Sequence, residues 1–380
     1  MEKATPERGG SVSSMGNSDL RWETTSQLDI GYDLGILKDR LNLTVDVYRK
    51  TTFDLLLNAN VPYYTGFQRV FRNIGKVQNQ GLEITLNSVN VRKRDFEWRS
   101  NFNISFNRNK ILQLADDENN MLSMKNWSSG FSETPLYMAK VGGPAALFYG
   151  YIFDGVYQYE DFDQTPSGDY ILKNDRPDNG DPRELIQPGD VRYRDLDGDG
   201  MITDGDRTVI GRTLPIHIGG FNNDFRYKNF SLNVFFQWSY GNHVYNANRE
   251  IFEGNRLNSI IINQYASYED RWTPENPSNT LFRVGGMGPA GTYSSRVIED
   301  GSFVRLKTVA LAYRFNPRYL QAIRLSDLEV NVAAQNLFTW TNYSGTDPEV
   351  SIRHSILTPG FDFSAYPRAR TLVFGLKATF

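Results

Sequence analysis

Leu372-Val373-Phe374-Gly375-Leu376-Lys377-Ala378-Thr379-Phe380 closes the chain with apolar side chains at every second place. Leu372, Phe374, Leu376, Ala378 and Phe380 share one face, and a period of two marks a β-strand with one apolar side. The same rhythm recurs upstream. Leu28, Ile30, Tyr32 and Leu34 alternate with Asp29, Gly31 and Asp33, and Leu41, Leu43, Val45 and Val47 with Asn42, Thr44 and Asp46. Leu82, Ile84 and Leu86 enclose Glu83 and Thr85. Phe96, Trp98, Phe102, Ile104 and Phe106 stand opposite Glu97, Arg99, Asn101, Asn103 and Ser105. Phe230, Leu232, Val234, Phe236, Trp238 and Tyr240 stand opposite Ser231, Asn233, Gln237 and Ser239, and Leu328, Val330 and Val332 alternate with Glu329 and Asn331. Weaker candidates near 135–142, 146–157, 216–227 and 302–316 bring the expectation to about eleven strands of barrel-spanning length. Within 302–316, Val304 and Leu306 fall on one face and Val309, Leu311 and Tyr313 on the other, so a bulge is expected there.

The connections sharpen this reading. Working back from Phe380, long segments near 344–369, 243–301, 158–215, 109–134 and 54–77 alternate with short ones. The short ones are 317–327, Lys228, Gly142-Gly143-Pro144, Arg92-Lys93-Arg94 and Leu37-Lys38-Asp39. Bacterial outer-membrane barrels have short periplasmic turns and long extracellular loops. The expected fold is therefore all-β, a transmembrane antiparallel β-barrel. Residues 1–20 are expected to be an incoming extracellular segment, and 21–380 the barrel with its loops. The last strand then ends in the periplasm, and the first, near 21–36, also runs from outside to inside. An odd count and an outside start predict that strands preceding these belong to the complete barrel, of which this chain is a C-terminal fragment.

Composition is compatible with a barrel. The 380 residues are 39% hydrophobic and 13% aromatic, and mean hydropathy is −0.49. Alternating faces average out hydropathy, so such a chain shows no run of about 20 apolar residues. Cysteine is absent, which excludes disulfides and thiolate metal sites. The net charge of −3 provides no electrostatic case for nucleic acid. Met1-Glu2-Lys3-Ala4-Thr5-Pro6 carries no apolar leader, consistent with a mature form or a fragment.

Several short stretches share the order and wording of a known family. They are Leu20-Arg21-Trp22-Glu23-Thr24-Thr25, Asp46-Val47-Tyr48-Arg49-Lys50-Thr51-Thr52 and Asn73-Ile74-Gly75-Lys76-Val77-Gln78-Asn79-Gln80-Gly81-Leu82-Glu83. Further along come Pro188-Gly189-Asp190-Val191, Asp195-Leu196-Asp197-Gly198-Asp199-Gly200, Ile210-Gly211 and Arg271-Trp272-Thr273-Pro274-Glu275-Asn276-Pro277. On these motifs the chain resembles the C-terminal half of SusC/RagA-type TonB-dependent outer-membrane transporters. The resemblance implies a barrel of about 22 strands around an N-terminal plug. It also implies import of oligosaccharides or peptides in a Gram-negative outer membrane, a SusD-like lipoprotein partner, and energy from a TonB-ExbB-ExbD complex. The plug and TonB box have no counterpart in this sequence.

One local signal points to chemistry. Asp195, Asp197, Asp199 and Asp206 occupy positions 1, 3, 5 and 12 of a calcium-loop pattern, with Gly200 at 6 and Met201 offering a backbone carbonyl. Extended flanks and Asp206 in place of glutamate depart from the helical version, so the expectation is a structural Ca²⁺ in an outer loop or an ion-free Asp/Gly turn. No catalytic residues are predicted: His217, His243 and His354 lack metal-ligand spacing, and no nucleophile or zinc motif occurs. Tyr63, Tyr64, Trp127 and Trp272 lie in outer loops, where rings stack on sugars or simply pack. Leu372, Phe374, Leu376, Ala378 and Phe380 resemble the signal read by barrel-assembly machinery, and the same face would meet outer-membrane lipid. Two other classes remain open from sequence: a small complete barrel with hydrolase activity at its rim, and a calcium-stapled surface adhesin or glycan-binding β-protein.

Overall fold

The computed structural model describes residues 19–60, 69–114, 118–125, 127–128, 131, 134–254, 263–349 and 357–380. Its wall is one antiparallel sheet of nine strands: β1 (Thr24–Ile36), β2 (Leu41–Asn60), β3 (Arg69–Arg92), β4 (Phe96–Gln113), β5 (His217–Tyr227), β6 (Phe230–Tyr240), β7 (Phe303–Arg314), β8 (Asp327–Thr341) and β9 (Thr371–Thr379). Each strand pairs with its sequence neighbour, as an up-and-down barrel requires. β1 and β9 are the two edges and have one described neighbour each.

Among the described residues the wall holds nine strands where about eleven were expected. Residues 135–142 and 146–157 do form strands, at Pro135–Lys140, Leu147–Gly150 and Phe153–Val156, but these belong to small sheets outside the wall. Leu136 and Tyr137 are adjacent and both fully buried, as is Phe148. A wall strand must present alternate residues to lipid and to lumen, whereas these are enclosed on both sides. Their Gly142-Gly143-Pro144 turn consequently lies within a loop assembly. Two strands make a hairpin, so removing both leaves the direction of every other strand unchanged. The long connections also shift: β2 and β3 extend to Asn60 and from Arg69, with bulges near Thr52 and Leu55, and β4 continues to Gln113.

Register explains why the wall is amphipathic. Phe374 pairs with Val332, Val332 with Leu311, Leu311 with Leu232, Leu232 with Phe225, and Phe225 with Trp98. On the other side Ile30 pairs with Val47, Val47 with Leu82, and Leu82 with Phe106. An apolar outer face thus crosses all nine strands. The expected bulge in β7 is found at Lys307: Leu306 pairs with Phe236 and Phe338, while Thr308 pairs with Phe235 and Gln335. Skipping one residue returns Val309 to the face of Leu306.

The opposite face is lined with carboxamides and hydroxyls. Asn101 donates to Asn87 at 2.6 Å, Asn109 to Asn79 at 2.9 Å, and Asn233 to Asn222 at 2.7 Å. Low on the outer face, one group of polar side chains satisfies itself. Asn223 accepts from the Trp98 indole at 3.0 Å and from Ser100 at 2.8 Å, which removes unmet donors from an apolar environment.

Two of the shared motifs meet on the inner face. Tyr48 is opposite Gly81, and its hydroxyl donates to Asn107 at 3.1 Å. A Cβ on Gly81 would stand 2.6 Å from both the Tyr48 ring and the Phe106 carbonyl oxygen. The glycine in Asn79-Gln80-Gly81-Leu82-Glu83 is there because the tyrosine of Asp46-Val47-Tyr48-Arg49 lies over it.

Candidate functional site in the loop assembly

Most of the fully buried side chains lie above the wall. The main cluster joins Phe131, Leu136, Tyr137, Phe148, Tyr245, Tyr293, Val297 and Phe361, drawn from three long connections. A second joins Val156, Val191, Tyr193, Trp272, Phe282 and Met287. These loops therefore pack on each other as a soluble protein does.

The second cluster explains two further motifs. Gly189 has φ +91°, and a Cβ there would stand 2.4 Å from the Trp272 ring. Asp190 accepts from the Gln187 N–H at 2.8 Å and pairs with Arg283 at 2.7 Å. Burial pushes its carboxyl above the usual carboxylate range, against the opposing pull of the Gln187 N–H and Arg283. Pro188-Gly189-Asp190 and Arg271-Trp272-Thr273-Pro274 are thus two halves of one contact.

Trp272 is 6% exposed and donates its indole N–H to Gln158 at 2.9 Å. Trp127 is ringed by Phe131, Phe361 and Phe363 at 4.8, 5.7 and 5.0 Å and donates to the Tyr293 hydroxyl. Trp272 is a packing residue, because a ring already covered by protein cannot cover a ligand, whereas Trp127 is half-buried against the main cluster. Tyr63 and Tyr64 lie outside the described residues, as does His354.

The acidic loop brings three of its four aspartates together. Carboxylate oxygens of Asp195, Asp197 and Asp199 all lie within 4.8 Å of one another. Asp195 accepts from the N–H groups of Gly198 and Gly200, Asp197 from Asp199, and Asp199 from Met201. The Gly200 N–H foremost holds the Asp195 carboxyl below its usual value. Asp197 feels the Asp199 N–H in the same direction, but desolvation and the carboxylates of Asp199, Asp206 and Asp195 outweigh it and push the group up. Asp206 stands apart: it is fully buried, accepting from Leu196 at 2.7 Å and Thr203 at 2.8 Å. It closes a capping box rather than joining the carboxylate cluster.

Sequence reading missed the ion-pair clamps that hold the loops down. Arg305, 1% exposed on β7, reaches Asp347 at 2.5 Å and Glu349 at 3.1 Å, and donates to Thr339. Arg368 returns to Glu349 at 2.8 Å. Arg249 and Arg296 are likewise laced to Glu250, Glu253 and Glu299. The available signal was an arginine at an inward position of β7, with two carboxylates in the long connection after β8. Beside this network a cleft of about 1040 Å³ is bordered by Arg249, Glu253, Tyr265, Glu299, Asp300 and Ser344. Lower, against the inner wall, a cleft of about 590 Å³ is bordered by Asn103, Ser105, Gln237, Ser239, Asn242 and Glu349. Such linings offer hydrogen bonds to hydroxyls and amides.

The apolar outer face, polar inner face and loop assembly on one side define an outer-membrane β-barrel. The family model "TonB dependent receptor-like, beta-barrel" matches residues 6–337, and the chain belongs to this family, whose place is the outer membrane. It is 35% identical to TonB-dependent receptor P3 of Formosa agariphila over 97% of this chain and 35% of that protein. It is 28% identical to TonB-dependent receptor SusC of Bacteroides thetaiotaomicron over 96% of this chain and 32% of that one. The chain thus spans about a third of the length of these curated relatives. The structure of the RagAB peptide transporter superposes with a TM-score of 0.75 at 23% identity, over 97% of this chain and 37% of that chain, a likeness of fold.

Proposed function

We propose that this chain forms the C-terminal half of the barrel of a SusC/RagA-type receptor that imports oligosaccharides or peptides across the outer membrane. The observation that carries the reading is the pairing of a wall with an apolar outer face and a packed loop assembly, in a chain that belongs to the TonB-dependent receptor family. Open sheet edges are not stable in hydrocarbon, so β1 and β9 pair with further strands of the complete barrel. A SusD-like lipoprotein would sit on the loop assembly, and TonB-ExbB-ExbD would act through a plug. The carboxamide-rich inner wall suits neutral, hydroxyl- or amide-bearing solutes. The protein binds and passes its solute without a chemical step. A rim hydrolase is not supported: His217 accepts from Trp238 and stacks on Tyr240, whereas His243 meets Arg212 in a separate loop. The test is uptake of labelled oligosaccharides and peptides by cells with and without this reading frame, in the presence and absence of TonB. Uptake that needs neither would overturn the proposal.

A bound divalent cation at Asp195, Asp197 and Asp199, with the Met201 carbonyl, is proposed as a staple of the same assembly. Their clustered oxygens support it, and Asp206 serves it by shaping the loop. Calorimetry with Ca²⁺ is expected to show saturable binding that disappears in the Asp195→Ala/Asp199→Ala variant. Absence of binding to the unaltered protein sinks the idea. The outward row Leu372, Phe374, Leu376, Ala378 and Phe380 is proposed as the segment that barrel-assembly machinery recognises.

A further inference from the structure

The outward face has two kinds of extracellular edge. Over β5, β6 and β8 it ends in rings: His217 stacks on Tyr240 at 5.0 Å, and Phe338 meets Trp340 at 6.2 Å. Over β2–β4 it ends in cations. Arg49 pairs across the sheet with Gln80, and Gln80 with Arg108. One outward position higher on β4 stands Lys110, opposite Gln78. The row directly below is wholly apolar, running Val47, Leu82, Phe106.

These cations are available. Arg49, Arg108 and Lys110 are exposed, and none forms an ion pair among the described residues. Neighbouring outward positions hold Thr51, Gln78 and Gln80, with no carboxylate. Gln78 is buried and, with its carboxamide oxygen turned toward Arg49, accepts from Nε at 2.5 Å and Nη2 at 2.7 Å. A neutral acceptor orients the guanidinium without cancelling its charge. Fixed guanidinium groups favour phosphate, which they bind through paired N–H donors.

We propose that Arg49, Arg108 and Lys110 bind the phosphorylated headgroup of an outer-leaflet lipid, whose acyl chains lie on Val47, Leu82 and Phe106. Charge complementarity and continuity with the apolar belt select this occupant: a soluble acidic protein would match the cations and leave the belt below them uncovered. The inference rests on the outer-membrane placement of the chain and on the orientation given by its long loops.

The test uses the protein extracted from outer membranes and placed in phosphatidylcholine bilayers. The bilayers are doped with a phosphorylated glycolipid or with the same glycolipid after removal of its phosphates, and native mass spectrometry reads the retained lipid. Unaltered protein is expected to prefer the phosphorylated form by about tenfold or more. The Arg49→Gln/Arg108→Gln/Lys110→Gln variant is expected to lose that preference, and Lys228→Gln, in the opposite turn, to keep it. Equal retention of both lipids by unaltered protein overturns the proposal without needing any variant to assemble. Displacement by inorganic phosphate alone also overturns it, since the site would then be one for free anions. Failure of the protein to enter the membrane fraction would instead overturn the placement on which the proposal rests.

Discussion

β9 and the loop strand Pro135–Lys140 are built from similar residues and live in opposite ways. In β9, Phe374 is 79% exposed and Leu376 72%, because their partner is lipid. In Pro135–Lys140, Leu136 and Tyr137 are fully buried side by side, because their partner is protein. The wall is held by ladders of backbone hydrogen bonds and by its solvent, and it gathers little core of its own. The loop assembly is held by burial and by ion pairs, as in a water-soluble domain. A receptor gains from the division: the wall satisfies the membrane, while the loops shape a surface independently of it.

That comparison can be broken first at the clamp between the two regions. Replacing Arg305 by leucine strands Asp347 without its charge partner and is expected to cost about 3–5 kcal/mol. Limited proteolysis should then cut the loops while the wall keeps its resistance to heat in detergent. Loss of both together would mean that the regions are one cooperative unit. A smaller effect separates the two faces of one strand. Val332→Arg puts a charge among lipid-facing residues and is expected to cost about 2–4 kcal/mol in membrane-inserted stability, whereas Asn331→Arg, one residue away and inward, should cost little. Similar costs for both, measured by denaturant unfolding in vesicles, would contradict the assignment of faces.

Within the wall, Gly81→Ala forces a methyl against the Tyr48 ring and the Phe106 carbonyl oxygen. A destabilisation of about 1–3 kcal/mol is expected, and the second change Tyr48→Ala should recover part of it. Within the loops, Trp272→Phe keeps the ring over Gly189 but removes the hydrogen bond to Gln158, at a cost of about 1 kcal/mol in thermal unfolding of the assembly. The smallest expected effect is at Asp195. Its carboxyl is held below the ordinary value, chiefly by the Gly200 N–H. Its contribution is present above the ordinary carboxylate pKa of 3.8 and is lost as pH falls through the lowered value. Amide exchange at Gly198 and Gly200 should quicken over that acidic range, and in Asp195→Asn it should be fast already at neutral pH.

The wall was legible because lipid on one side and water on the other impose a period of two. The alternation of β2, β4, β6, β8 and β9 can be read directly, and even the β7 bulge shows as a change of face at Lys307. The hairpin through Gly142-Gly143-Pro144 was misplaced for the same reason: it has strand propensity and a tight turn, while its surroundings are set by residues up to 222 positions away, as where Tyr137 donates to the Pro359 carbonyl. The site was less legible still. Trp127 and Trp272 stand in loops, and nothing local distinguishes a ring offered to a ligand from a ring covered by distant phenylalanines. Asp206 fits a metal-ligand position by spacing, but its two oxygens are taken by the N–H groups of Leu196 and Thr203.

By itself, then, the sequence determined the class of the protein, the faces of its strands and the outward row Leu372, Phe374, Leu376 and Ala378 of β9, because these depend on period and on turn length. Tertiary structure alone decided that nine of the described strands form the wall, that Trp272 serves as packing, and that Arg49, Arg108 and Lys110 share one corner of the outer face. Those facts depend on which distant residues meet across the sheet, and register carries that information only once the strands are paired.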